Sequence, residues 1–479
     1  MSKTEFKNRR NQLLQSMQAN SICLISAAEL VTRSRDTEFS FRQDSYFQYL
    51  CGFPEPQAWL VLSNKAPAAS KEQAAGKEQA ASKEQADKKA LSKHTDDSSG
   101  LSVLFCLDKD PTAEIWQGRR FGPDKASQEF GLDLAFGLEQ LEEKLVELVD
   151  GHQNLYFAQG HNAAADEFVA NLMQALREAP KQSMLAPTSI IDVRIILDEM
   201  RLIKSDAELD IMRQAADISG QGHKRAMQFC QADKNEYHLE AEIHHEFAML
   251  GAKHPAYGTI VGGGDNACIL HYTENNQPLK AGDLVLIDAG CELQGYAADI
   301  TRTFPVSGKF NPVQAQLYQI VLDAQLAAFE WVKPGNTIKQ ATDVAVEIIT
   351  QGLIDLGILQ GQLAENIEQQ TYRQYFMHGL GHWLGLDVHD VGTYKIDGQD
   401  RPLKPGMVLT IEPGIYIAPD ADVDPKWQGI GIRIEDNLVV TEKGYENLTQ
   451  STPKTIGEIE GLMQQTSTAK QSRQSHASV

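Results

Sequence analysis

The sequence predicts an α/β protein of two domains, and three observations carry that prediction. The length is 479 residues, short apolar runs alternate with amphipathic helical stretches, and one apolar strand occurs twice. A chain of this length exceeds what a single hydrophobic core usually supports. The duplicated strand is the anchor. It runs Leu279-Lys280-Ala281-Gly282-Asp283-Leu284-Val285-Leu286-Ile287-Asp288-Ala289-Gly290 and returns as Leu403-Lys404-Pro405-Gly406-Met407-Val408-Leu409-Thr410-Ile411-Glu412-Pro413-Gly414. Each copy leaves a turn signal, continues as a run short enough for a buried strand, and stops at an acid followed by a flexible pair.

An acid at the end of an apolar strand is costly, because an unpaired carboxylate must be desolvated or shift its pKa. After Asp288 the chain turns and returns through the strand-like Ala297–Phe304. A two-residue loop at Leu293 and Gln294 would set Asp299 directly opposite Asp288, their Cβ atoms about 5 Å apart. Two like charges at that distance repel, and a divalent cation between them removes the conflict. In the later copy, alternation through Ile430–Asn437 puts Arg433 and Glu435 on one face, opposite three isoleucines. The constellation is therefore Asp288, Asp299, Glu412 and Glu435.

Composition bounds the partners. The formal net charge is −21, with no basic block to offset it, which argues against nucleic acid or an anionic membrane. Met1–Arg10 lacks an apolar signal region, and no later run approaches the length of a membrane span. The six cysteines, Cys23, Cys51, Cys106, Cys230, Cys268 and Cys291, show no CxxC and no disulfide-like rhythm, which suits a reducing cytoplasm.

In chain order, residues 1–190 read as an N-terminal α/β domain. It opens with a charged helix near Phe6–Met17 and strands at Ile22–Ile25 and Trp59–Leu62. Strand character resumes at Val103–Leu107 and Ala113–Arg120, and helical runs follow at Leu138–Leu148 and Glu167–Ala175. Residues 64–100 interrupt this domain. There Lys71-Glu72-Gln73-Ala74 repeats from Lys77 and again from Lys83, and a six-residue period holds no single apolar face, so a solvated insertion is expected. The second domain spans 191–460 and opens with a capping box of Ser205 and Glu208. A frayed tail is expected over 461–479.

Several motifs invite sharper readings. His245-Glu246 begins like the zinc-protease HExxH, but Met249 stands where the second histidine is required. Val261–Asp265 lacks phosphate-loop spacing and a following helix, so a tight connection is the better account. His378, His382 and His389 concentrate three of the chain's 13 histidines in a segment loosened by Gly379, Gly381 and Gly385. Four carboxylates and a neutral imidazole balance two divalent cations. A mostly carboxylate donor set ranks manganese first, with cobalt, iron or zinc as substitutes. Two metals sharing a water would lower its pKa toward neutrality, so hydrolysis is the expected chemistry.

These stretches together resemble the bacterial Xaa-Pro aminopeptidases, or aminopeptidases P, of the methionine aminopeptidase/prolidase/creatinase superfamily. The resemblance lies in Ile269–Asn275, Leu286–Glu292, Ala298–Phe304, the three-histidine segment and Thr410–Gly414, and extends to Phe41–Ser45 and Gly52–Pro56. It implies a C-terminal pita-bread α/β domain with internal pseudo-twofold symmetry beside a smaller N-terminal α/β domain. It further implies that Asp288 binds one metal, that Asp299 and Glu435 bridge both, and that His382 and Glu412 bind the other. Glu412 would also transfer a proton, and His271, His378 and His389 would surround the substrate, His389 stabilising the tetrahedral intermediate. Arg433 would hold Glu435, while Tyr416 would border a proline pocket. Trp116 would fence the site of a neighbouring subunit in a homo-oligomer, a dimer or tetramer. The implied reaction is hydrolysis of the bond between an N-terminal residue and a following proline by a metal-bridging hydroxide. A prolidase would share the ligands and cut only dipeptides, and a peptide-binding scaffold on the same fold would usually lose its acids. A metal-free amidinohydrolase is disfavoured because every ligand position is filled.

Overall fold

The computed structural model describes residues 1–65, 100–178 and 183–465. The Lys-Glu-Gln-Ala repeats lie outside the described residues, as do residues 466–479 of the expected tail. Residues 461–465 differ from the expectation of fraying. They continue a helix that begins at residue 456, because Ile459 and Met463, one turn apart, are both buried. The chain divides into two compact units between Glu199 and Met200.

The first unit is built on a six-stranded mixed sheet. Its strands run in the order Leu134–Gly137, Leu101–Cys106, Trp59–Ser63, Ser21–Ser26, Asn154–Tyr156, Ser189–Ile191. Ile22, Leu24, Val61, Val103 and Phe105 alternate along three of these strands onto one face. That face is covered by Leu141, Leu145 and Val149 of one helix and by Val169, Leu172, Met173 and Leu176 of another. Ala113–Arg120 is not a strand. Pro111–Gln117 forms a helix because Asp110 Oδ1 accepts from the backbone N–H groups of Thr112 and Ala113, and proline suits the first helical turn.

In the second unit a pair of helices followed by antiparallel strands occurs twice. Helices Asp206–Phe229 and Glu236–Met249 precede the ladder of Ile260–Gly263, Leu284–Asp288 and Thr301–Pro305. Helices Pro312–Phe329 and Ile338–Asp355 precede the ladder of Val408–Ile411, Asp436–Val440 and Tyr445–Asn447 and the hairpin of Gly414–Ile417 with Ile430–Arg433. The expected capping box forms, Ser205 N donating to Glu208 Oε2 at 2.9 Å. Both copies of the central strand are buried, with Val285, Ile287, Leu409 and Ile411 in one core. The glycine run after Ile260 is not the expected tight connection, because Gly262 and Gly263 belong to the strand Ile260–Gly263 and pair with Leu286 and Val285. The expected close backbone approach is present, since a Cβ on Gly262 would come within 2.9 Å of the Asn266 and Ala267 backbone. A short 3-10 helix, Gly264–Cys268, does follow it.

The hairpin after Asp288 has a different register from the one the sequence suggests. Leu293 pairs with Tyr296, so the loop residues are Gln294 and Gly295, at φ of 52° and 90°. Two successive left-handed residues match the right-handed twist of the flanking strands, and glycine adopts that conformation at no steric cost. Asp288 consequently stands opposite Thr301, and Asp299 is displaced by two residues. A shift of two preserves the face, so the two acids still meet.

Candidate metal centre

The acids converge because each lies at the end of a buried strand, or just beyond one, and the ends point into one cavity of about 270 Å³. Its wall includes Asp288, Asp299, Glu412 and Glu435 together with His271, His378, His382, His389 and Arg433. Asp299, His382 and Glu435 each offer a ligand atom within 4.8 Å of the others. His382 Nε2 lies 3.3 Å from Asp299 Oδ2 and 3.6 Å from Glu412 Oε1. Its other ring nitrogen, Nδ1, sits 2.9 Å from the Trp383 carbonyl oxygen, so that nitrogen carries the proton and Nε2 turns to the acids. The segment is held close by Gly381, where a Cβ would lie 1.9 Å from the Thr410 carbonyl oxygen. Thr410 N donates to His382 O at 2.9 Å, and His382 N to Thr410 Oγ1 at 3.0 Å.

Crowding leaves an electrostatic signature. Burial pushes the Asp299 carboxyl up to about 6, aided by the Asp288 charge and opposed by His382. Burial pushes Glu412 up to about 7 against the pull of His382 and Arg433. Glu435 is raised well above the ordinary range, by burial first and then by Asp299, Glu412 and Asp288. Burial opposes the charge on His382, yet its hydrogen bond to Asp299 and the Asp299 and Glu412 charges outweigh that and raise it to about 9. A set of acids that must otherwise retain protons, beside an imidazole with Nε2 directed at them, fits divalent cations in charge and in donor chemistry.

Arg433 lies close enough to Glu435 for its charge to pull against the rise of that acid's pKa, but its hydrogen bond to a carboxylate goes to Asp288. Its Nη2 donates to Asp288 Oδ2 at 2.6 Å, its Nε to Thr301 Oγ1 at 3.1 Å and its Nη1 to the Tyr416 hydroxyl at 3.0 Å. Glu435 instead accepts from Thr301 Oγ1 at 2.7 Å. The strand Ile430–Arg433 ends at Arg433, and simple alternation stops there. Tyr416 is buried and does not line the cavity. Its hydroxyl is 2.8 Å from His378 Nε2, and His378 Nδ1 is 2.7 Å from the Gly379 carbonyl oxygen, so both nitrogens of His378 are engaged. Burial and the Arg433 charge push His378 down to about 4, leaving it neutral. His389 is exposed, and its ring packs edge-on against His382 at 4.3 Å. His271 is exposed at the cavity wall. Trp116 belongs to the first unit and is 84 % exposed on its helix, outside the cavity wall.

Two participants carry no signal of their own in the sequence. The Tyr257 hydroxyl lies 2.6 Å from Asp288 Oδ1 and 2.5 Å from Asp299 Oδ1, tying the two acids together. It sits in the short connection just after the two-residue strand His254–Pro255, where no periodicity marks it. Thr301 connects Arg433 to Glu435 through one hydroxyl. It lies within the Ala298–Phe304 stretch, but only the two-residue change of register brings it beside Asp288.

Residues 210–442 match metallopeptidase family M24, and residues 6–156 match the aminopeptidase P N-terminal domain. The chain is 48 % identical to the Xaa-Pro aminopeptidase of Escherichia coli over 97 % of its own length and 98 % of that protein. The structure of Pseudomonas aeruginosa aminopeptidase PepP superposes with a TM-score of 0.90 at 44 % identity, covering 98 % of this chain and 99 % of that one. Zinc-substituted Escherichia coli aminopeptidase P in complex with product gives 0.89 at 48 % identity, covering 97 % and 99 %. The chain therefore belongs to metallopeptidase family M24, among the Xaa-Pro aminopeptidases that carry the aminopeptidase P N-terminal domain.

Proposed function

We propose that this protein removes the N-terminal residue from peptides with proline at the second position, using two divalent metal ions, manganese first among them. The observation that carries the reading is the convergence of Asp288, Asp299, His382, Glu412 and Glu435 on one cavity, in a chain whose full-length relatives include Xaa-Pro aminopeptidases. Asp299 and Glu435 are the bridging candidates: Asp299 touches both the Tyr257–Asp288 side and the His382–Glu412 side of the cluster. Asp288 would hold one ion, and His382 with Glu412 the other. When bound, such ions supply a water ionised near neutral pH and an electrophile for the scissile carbonyl.

The chain's own residues do the rest. Glu412 moves the nucleophile's proton to the departing proline nitrogen, and its environment already favours holding a proton near neutrality. His389, exposed in the cavity wall beside His382, donates to the developing oxyanion. His271, exposed at the cavity wall, contacts the peptide. His378, locked by the Tyr416 hydroxyl and the Gly379 carbonyl, shapes the proline site without exchanging protons, and Tyr416 acts through it. Arg433 holds Asp288 in place.

A homo-oligomer, dimer or tetramer, is proposed on the exposure of neighbouring Ile115 and Trp116, 79 % and 84 %. No helix of the described residues is long and apolar enough to cross a membrane. That and six free cysteines support a cytoplasmic setting. The test is metal-depleted protein reloaded separately with manganese, cobalt, iron and zinc and offered Xaa-Pro and Xaa-Pro-Xaa substrates side by side. Cleavage of the tripeptide, greatest with manganese at two ions per chain, is expected. Activity on the dipeptide alone, or full turnover without metal, contradicts the reading. Asp299→Ala should abolish metal binding and turnover together.

A further inference from the structure

The second unit buries a group of charges beside the segment Trp383–Asp390, none of them among the metal-ligand candidates. Arg201 and Lys204 precede the first long helix of that unit, and their side chains are each 1 % exposed. Arg201 Nη2 donates to Asp390 Oδ1 at 2.6 Å and to Asp387 Oδ2 at 2.7 Å, while Lys204 Nζ donates to Asp390 Oδ2 at 2.8 Å. Asp390 is itself 1 % exposed, and Asp387 is 37 % exposed. Burial works against the charge on Asp390, but Lys204 and Arg201 outweigh it and hold the carboxyl below its usual range.

Buried ion groups of this kind add little net stability, because desolvation offsets most of the Coulombic gain. Moving either partner, however, leaves an uncompensated buried charge, which is strongly disfavoured. Two of the partners, Asp387 and Asp390, belong to the segment Trp383–Asp390. Gly385 is required there, as a Cβ would fall 2.1 Å from Asp390 Oδ2. Asp390 N donates to Trp383 O at 2.9 Å, closing the segment into a loop. The residue before Asp390 is His389, whose ring is steadied by the edge-on contact with His382.

We infer that Arg201, Lys204 and Asp390 are positioning residues for the reaction, fixing through the backbone where the His389 imidazole stands in the cavity. The inference rests on the catalytic reading of His389. Its physical basis is that a group stabilising charge only in the transition state loses effect with displacements near 1 Å, whereas substrate binding elsewhere is untouched.

The test uses the full-length, manganese-loaded enzyme. Lys204→Met keeps the length of the side chain and removes its charge. Asp387→Asn loosens Arg201 from the half-exposed end, so a folded variant is in hand even if the buried change unfolds the protein. With metal content and KM for an Xaa-Pro tripeptide within twofold of the parent, kcat should fall about tenfold in the first and about threefold in the second. Unchanged kcat in the folded, fully loaded variants, or a rise in KM alone, overturns the inference. His389→Ala separates the two layers. Full kcat in that variant removes the catalytic reading of His389, and the inference with it; loss there with none in Lys204→Met and Asp387→Asn removes only the positioning role.

Discussion

Arg433 donates to Asp288 Oδ2 at 2.6 Å from a guanidinium that is itself buried. Its remaining donors reach Thr301 and Tyr416, three acceptors that a planar fork serves and an ammonium cannot. Arg433→Ala leaves a largely buried carboxylate without its partner. The metal-depleted protein should lose ~3–5 kcal/mol of stability, measured by urea denaturation in chelator, and Arg433→Lys should recover only part of it. A loss below ~1 kcal/mol for the alanine variant would show that Asp288 does not depend on this partner.

Tyr257→Phe removes a hydroxyl that two carboxylates share. A hydrogen bond to a charged group contributes ~1.5–3 kcal/mol. The cost should appear in the metal-depleted protein, where the hydroxyl is what keeps Asp288 and Asp299 together, and shrink when manganese takes over that task. Thermal melts of the parent and of Tyr257→Phe, with manganese and with chelator, check this. Equal drops in both conditions would assign Tyr257 a purely structural role.

The acids make the metal-depleted protein sensitive to rising pH. Burial raises Asp299 to about 6 and Glu412 to about 7 in the folded protein, above their ordinary values. Each binds its proton more tightly folded than unfolded, so the stability it contributes is complete below its unfolded pKa and is lost as pH rises through the folded one. His382, raised to about 9, acts in the same direction at higher pH. Stability in chelator should therefore decline from about pH 4 to about pH 9. Metal ions compete with those protons, so the increase in Tm on adding manganese should widen between about pH 5 and about pH 8. A manganese increment that stays constant across that range is the contrary result.

Gly381→Ala tests the close approach that carries His382. A Cβ at 1.9 Å from the Thr410 carbonyl oxygen cannot be accommodated without moving one of the two segments. The expected product is a folded protein with less than its full metal content and kcat/KM lowered by at least about a hundredfold. Elemental analysis beside steady-state kinetics reads both, and full metal content with parental activity would mean the segments yield easily.

By itself the sequence determined that strands end in acids at Asp288 and Glu412. A carboxylate closing an apolar run is a local conflict, visible wherever composition and period are read together. It determined the helix starting at Asp206, through the Ser205 and Glu208 side chains, and the need for a backbone contact at the glycine run after Ile260, since caps and close local approaches are settled within a few residues. It did not determine that Asp288 faces Thr301, because loops at Leu293–Gln294 and Gln294–Gly295 present the same alternation of faces and differ only in which residues take left-handed backbone. Nor did it decide that Arg433 serves Asp288, that Tyr257 joins two acids, that Tyr416 stands behind His378, or that Lys204 closes on Asp390. Those pairs are separated by 145, 31 and 42, 38 and 186 residues respectively. Only packing the strands and helices against one another brings such groups within hydrogen-bonding distance, and no local pattern records which partner each will meet.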